Sequence, residues 1–233
     1  MESEQDVDKS RSVSAAAIVA ILAITFVFSL LSRRMGTETL AGSLAAVGGI
    51  VLCLVVVWVT QRWLRLGWPE IGLRRPRSWP KTFGLGILVA VVTNAAILPI
   101  LTYVIAPLSG DMPDVSRFDG TRGNLGVLVG TVLTVWLTSA FPEEVIWRGF
   151  LLTRLAKLAG GGRLAWGIAL ALSSVHFGLI HFYQGVSGVV VTGLSGFLYG
   201  LAFLICRRNL WVVIVAHAAN HVMSFTAMYF GVV

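Results

Sequence analysis

Charge is what this 233-residue chain has least of. Only 12% of its residues are charged, against about 25% in an average soluble domain. With 56% of residues hydrophobic, too few polar groups remain to cover a water-exposed surface, which excludes an ordinary soluble domain. Cysteine is nearly as scarce. Cys53 and Cys206 are the only two, each inside an apolar run, with no CxxC pair and no metal-binding spacing, so a disulfide framework is not expected. No repeat of fixed period occurs. The short alternating segments of a membrane β-barrel are also missing.

What is present is a succession of long apolar runs. A membrane-crossing helix needs about 20 mostly apolar residues, and backbone groups in lipid must be satisfied within the segment, so helices are the default. Seven runs qualify: Ser12–Ser32, Ala41–Gln61, Thr82–Pro107, Asn124–Phe141, Leu164–Phe182, Ser187–Cys206 and Leu210–Phe230. The expected fold is all-α, a polytopic membrane helical bundle of about seven transmembrane helices. Residues 1–11 carry Glu2, Glu4, Asp6, Asp8, Lys9 and Arg11 and read as a disordered polar tail. Residues 12–68 read as N-terminal transmembrane helices and 69–233 as the functional core.

The net charge of +7 lies mostly between the runs. Arg62, Arg65, Arg74, Arg75, Arg77, Lys81, Arg148, Arg154, Lys157, Arg163, Arg207 and Arg208, with Lys9 and Arg11, fall on one side; Arg33, Arg34, Arg117 and Arg122 fall on the other. Such asymmetry orients a protein in a bilayer, basic side inward. It predicts a cytoplasmic N-terminus, a multi-pass protein of the plasma membrane, and no nucleic-acid partner. Leu108–Gly123 reads as an outer loop. Gly193, Gly196 and Gly200 predict close helix packing.

Three places break the apolar pattern, and ionisable groups in a membrane are functional candidates by default. The first is Phe141-Pro142-Glu143-Glu144-Val145-Ile146-Trp147-Arg148. Glu144 and Arg148 are one helical turn apart and can pair; Glu143 points about 100° away and stays free to act as a base. Pro142 cannot donate a backbone hydrogen bond and loosens the helix there. The second place is His176–His181, where Phe177 and His181 share a face and His176 lies on another. The third is His217-Ala218-Ala219-Asn220-His221, with both histidines on one face of the last run. The bland readings are an ordinary Glu–Arg pair, a hydrogen-bonded histidine near a span end, and interhelical hydrogen bonds that glue the bundle.

For these places to meet, the fourth helix must continue through Phe150–Leu158 to a turn at Gly160–Gly162. Glu143 and His181 then both lie roughly 27–30 Å from that turn along their helices. His217–His221 lies nearer the Arg207–Arg208 end, roughly 13–20 Å along its own helix, and needs a tilted or offset helix to join them.

Glu143-Glu144-xxx-Arg148, then Phe177-xxx-His181, then His217 near the end of the chain resembles the CPBP intramembrane proteases. These include the type II CAAX-processing (Rce1-like) proteases and the Abi, bacteriocin-immunity-type proteins. Arg148-Gly149-Phe150, Ser173-Ser174 and Pro69-Glu70-Ile71-Gly72-Leu73 are similar as well. The resemblance covers about residues 69–225. It implies an intramembrane endopeptidase acting on a membrane-associated protein or peptide, with CAAX-type processing as one form. Glu143, helped by His181, would activate water; His217 with Asn220 or His221 would stabilise the oxyanion; Glu144 and Arg148 would order the helix. The family's third motif usually places Asn or Asp where this chain has His221, so the donor is either Asn220 or His221. The family is often described as metallo. Zinc held by Glu143, His181 and His217 stays open, although no HExxH helix is present and the same residues suffice without metal.

Two other classes of function compete: a non-catalytic immunity or scaffold protein of the same fold, and a transporter relaying protons through Glu143 and Glu144. The transporter predicts inverted repeats, which the sequence does not show.

Overall fold

The computed structural model describes residues 4–232. They form seven principal helices: α1 (Glu4–Met35), α2 (Leu40–Trp63), α3 (Trp79–Ser109), α4 (Leu125–Leu158), α5 (Arg163–Leu179), α6 (Gly185–Ile205) and α7 (Leu210–Tyr229). No strand occurs among the described residues. Helix starts coincide with residues whose side chains satisfy otherwise unpaired backbone N–H groups. Thr39, Ser78, Asn124 and Asn209 accept from the backbones of Gly42, Lys81, Val127 and Trp211.

Six of the seven helices are long and apolar enough to cross a membrane; α5 is apolar but shorter. Together they make an integral multi-pass bundle. At 17 residues, α5 extends about 26 Å, less than the roughly 30 Å hydrocarbon thickness. The chain then turns through Phe182–Gln184 into α6.

Three sequence expectations need adjustment. The described part of the polar tail, residues 4–11, continues α1 as helix; Met1, Glu2 and Ser3 lie outside the described residues. The fourth run does not stop at Phe141: α4 continues to Leu158 and turns at Gly160 and Gly161, whose φ values of 93° and 72° suit glycine. Arg148 and Arg154 therefore belong to the helix, not to a linker. Twelve basic residues remain on their side against four on the other.

α1 packs on α2, α3 on α7, and α5 on α6. Glycine sets how closely two of these pairs approach. A Cβ on Gly178 would lie 2.5 Å from the Val189 carbonyl oxygen, and one on Gly86 would lie 2.5 Å from Val215 Cγ1. The α6 glycines pack as their spacing predicts: Gly193 faces Gly178, Gly196 faces Phe177 and Arg148, and Gly200 faces Leu170 and Leu152. At the basic end, the turn Trp68–Ile71 wedges between α4 and α7. Leu210 donates its backbone N–H to the Gly72 carbonyl, and a Cβ on Gly149 would lie 3.1 Å from the Ile71 carbonyl. At the other end, Arg33, one of the four basic residues on the less basic side, stacks over Phe182, 5.1 Å from the ring centroid.

Candidate active site

Pro142 deletes one backbone donor inside α4, and the helix responds by widening. Wider turns with hydrogen bonds five residues apart flank the proline at Trp136–Ala140 and Glu144–Leu151. Such widened turns are frequent at functional sites. Here they aim two adjacent carboxylates differently. Glu144 is fully buried, while Glu143 is half-buried and lines a cavity.

Glu144 Oε1 accepts from Arg148 Nη1 at 3.0 Å and lies 2.8 Å from His217 Nδ1. An ionised carboxylate can only accept, so beside it His217 carries a proton on Nδ1. Arg148 is itself 2% exposed. Its guanidinium carbon lies 4.4 Å from the Phe177 ring centroid and 5.6 Å from that of Tyr199, a cation–π arrangement that helps hold a desolvated charge. The pairing of Glu144 with Arg148 thus matches the one-turn spacing. That His217 joins them from α7 could not be read from spacing.

Phe177 also contacts His181, with ring centroids 4.8 Å apart. The Phe177-xxx-His181 spacing therefore links the buried Arg148 to a histidine at the cavity wall. His181 Nδ1 lies 2.7 Å from the Phe177 carbonyl oxygen. A carbonyl only accepts, so Nδ1 bears the proton, and in the neutral ring Nε2 is left as an acceptor. His176 has a different fate. Its Nδ1 accepts from Trp147 Nε1 at 3.2 Å and its Nε2 lies 3.2 Å from Thr25 Oγ1, which ties it into packing between α1, α4 and α5.

Glu143, His181, His217, Asn220 and His221 all line one cavity of about 650 Å³. The extended α4 brings Glu143 and His181 together as required, and α7 delivers its polar face despite the offset in helix position. His217 and His221 stack with centroids 4.7 Å apart, and His221 Nε2 lies 3.3 Å from Ser139 Oγ. Tyr199 and Phe177 complete the inner wall. Glu38, Arg117 and Tyr183 line the part near the connections between helices.

Several of these residues escaped the sequence reading. Asn94 on α3 bonds Asn220 at 2.6 Å; its signal was an amide inside an apolar run, the same signal that singled out Asn220. Ser29 on α1 donates to the Ile180 carbonyl, beside the turn that carries His181. Arg117 and Tyr183 carried no pattern that marked them.

Glu143, His181 and His217 share the cavity. Among the described residues, however, no three His, Cys, Asp or Glu side chains are drawn together closely enough to hold a metal ion. His217 Nδ1 is moreover engaged by Glu144. The donor set as it stands does not fit zinc, and no step below runs through a metal.

Comparison with known proteins returns one family. Residues 125–223 match the model described as type II CAAX prenyl endopeptidase Rce1-like. No curated protein and no solved structure gives a significant match. The matched segment contains all three polar motifs and most of the cavity wall that carries them. Residues 125–223, less than half of this membrane bundle, are thus similar to the Rce1-like family of type II CAAX prenyl endopeptidases.

Proposed function

We propose that the chain is an intramembrane endopeptidase that hydrolyses a peptide bond of a membrane-associated protein or peptide, with CAAX-type processing as the favoured form. The carrying observation is that Glu143, His181, His217, Asn220 and His221 line one cavity. The Glu143 carboxylate takes a proton from water as the water oxygen attacks the scissile carbonyl carbon. His181 Nε2 accepts a hydrogen bond from the same water and orients it. Glu143 then returns the proton to the leaving amine nitrogen as the C–N bond breaks.

The oxyanion formed in the first step needs donors aimed at it, the largest usual contribution in acyl chemistry. His217 supplies one from Nε2 when the ring carries both protons, its Nδ1–H held by the Glu144 carboxylate that it shares with Arg148. Asn220 or His221 supplies another. Glu144 and Arg148 hold α4 and His217 in register. No cofactor is needed for these steps. The test is cleavage of a membrane-anchored peptide library by purified wild type, Glu143→Ala and His181→Ala, with and without a chelator. The expected result is cleavage by wild type that survives chelation, reduced by about 10²–10⁴-fold in the variants. Equal cleavage by all three proteins sinks the assignment.

The charge asymmetry supports an orientation with the N-terminus in the cytoplasm, and the proposed location is the plasma membrane. The end of the cavity bordered by Thr37, Glu38 and Arg117 then lies toward the outer face. In a Cys206→Ser background, Glu38→Cys is expected to react with an impermeant maleimide on intact cells, and Arg77→Cys only after lysis. The reverse pattern refutes the orientation.

A further inference from the structure

The geometry points to Asn94 as a positioning residue that sets which way the Asn220 amide faces, and so makes Asn220 a hydrogen-bond donor to the cavity. This rests on the protease reading above. Asn94 itself is not part of the cavity wall, whereas Asn220 is. Asn94 Nδ2 lies 2.9 Å from the Ala90 carbonyl oxygen and 2.6 Å from Asn220 Oδ1.

The oxygen and nitrogen of an amide are told apart by their partners. The Ala90 carbonyl can only accept, so the Asn94 atom facing it is the nitrogen. That nitrogen has two protons. One goes to Ala90 and the other is directed at Asn220, where only an oxygen can receive it. The Asn220 amide is therefore turned with Oδ1 toward α3, and its NH₂ group remains for the cavity. Without Asn94, the Asn220 amide has no such constraint. It can present its oxygen to the cavity, where a carbonyl oxygen repels a developing oxyanion.

The close approach that permits this bond is built two turns earlier on α3. Gly86 sits against Val215 and the Val212 carbonyl, so the α3 and α7 backbones are near enough for two short amide side chains to meet. The same orientation separates the two candidate donors of the last motif. Asn220 is a fixed donor, whereas His221, beside the Ser139 hydroxyl, gives or accepts according to its tautomer.

The experiment uses full-length protein in lipid nanodiscs and an S-prenylated peptide ending in a CAAX sequence as substrate. Asn94→Leu removes the anchor at similar volume. Its kcat is expected to fall by roughly 10²-fold, the lower end of what loss of an oxyanion donor costs, with KM little changed. The effect should vanish in an Asn220→Ala background, because both substitutions remove one function. A purely structural role would instead multiply the two losses. Asn94→Asp adds a pH signature: the ionised side chain accepts only and turns the Asn220 NH₂ away from the cavity, while the protonated one donates to Oδ1. Its activity relative to wild type is expected to recover as pH is lowered.

Side-chain amide exchange read by ¹⁵N NMR provides a measurement independent of turnover. The Asn94 amide protons are expected to exchange slowly and those of Asn220 quickly. Protected Asn220 protons beside exchanging Asn94 protons overturn the proposal, as do multiplicative losses in the double variant. If Glu143→Ala cleaves as wild type does, the protease reading fails, and the exchange measurement still decides the amide orientation.

Discussion

The two ends of α4 live in different solvents. From Leu125 to Val135 no residue is buried, and Leu125 and Leu133 are 61% and 57% exposed. From Glu144 to Arg154 every residue is buried, including two arginines and a glutamate. One helix thus runs from an outward-facing apolar surface into a packed protein interior, with Pro142 and its widened turns between. The contrast teaches where charge survives in a membrane. The exposed end carries no ionisable residue; its Leu125 and Leu133 side faces outward as lipid requires, while Gly130, Thr131 and Thr134 line the cavity. The buried end replaces lipid by Phe177, Tyr199, His217 and the turn at Trp68–Ile71, so Glu144 and Arg148 can remain charged. Glu143 stands at the boundary, the one place on the helix where a carboxylate is held by protein yet faces open space.

Substitutions at matched positions on the two ends sharpen this difference. The largest effect is expected from Arg148→Met, which strands the buried Glu144 with only His217 beside it. Breaking a buried pair costs about 3–5 kcal/mol, read as loss of unfolding free energy in detergent. Leu133→Ala at the exposed end should stay within about 0.5 kcal/mol. Comparable losses would mean that the two ends are packed alike.

A single methyl group makes a finer probe. Gly149→Ala places a Cβ 3.1 Å from the Ile71 carbonyl and 3.3 Å from Leu210 Cδ2, and overpacking of this kind costs about 1–3 kcal/mol. Gly130→Ala meets nothing within 4 Å and is expected to be neutral or to gain up to about 1 kcal/mol from helix propensity. Thermal unfolding of both variants checks the pair.

The smallest effect concerns the basic end, where Lys157 of α4 reaches Glu70 at 2.7 Å. The hydrogen bond and positive charge of Lys157 hold the Glu70 carboxyl below its ordinary value. A depressed carboxylate contributes stability above its ordinary pKa and loses it as pH falls through the lower, folded-state value. Wild type should therefore exceed Glu70→Gln slightly at pH 7, by no more than about 1 kcal/mol for so exposed a pair, and the gap should close in acid. A gap that widens in acid would show the sign to be wrong.

Much of the fold was legible because apolar run length and helix caps are local properties. The caps at Asn124 and Asn209 belong to the same local chemistry and fall at the starts of two of those runs. The end of α4 was less legible. Residues 142–158 mix proline, glutamates and arginines, which look like a span boundary to any measure of local polarity. Only the requirement that Glu143 and His181 meet argued for continuation. His176 and His181 lie on different faces, as helical spacing implies, with His176 against Trp147 and Thr25 and His181 at the cavity. Asn94 went unnoticed, although an amide in an apolar run is the same cue that marked Asn220.

By itself, the sequence determined a helical membrane bundle, the one-turn pairing of Glu144 with Arg148, and the free face of Glu143, because periodicity and lipid solvation act over a few residues. Tertiary structure alone decided that His217 shares the Glu144 carboxylate, that Asn94 faces Asn220, and that five polar side chains from α4, α7 and the turn after α5 line one cavity. These are distances between segments far apart in the chain. They are set by where glycines let helices approach, and no local rule of spacing contains them.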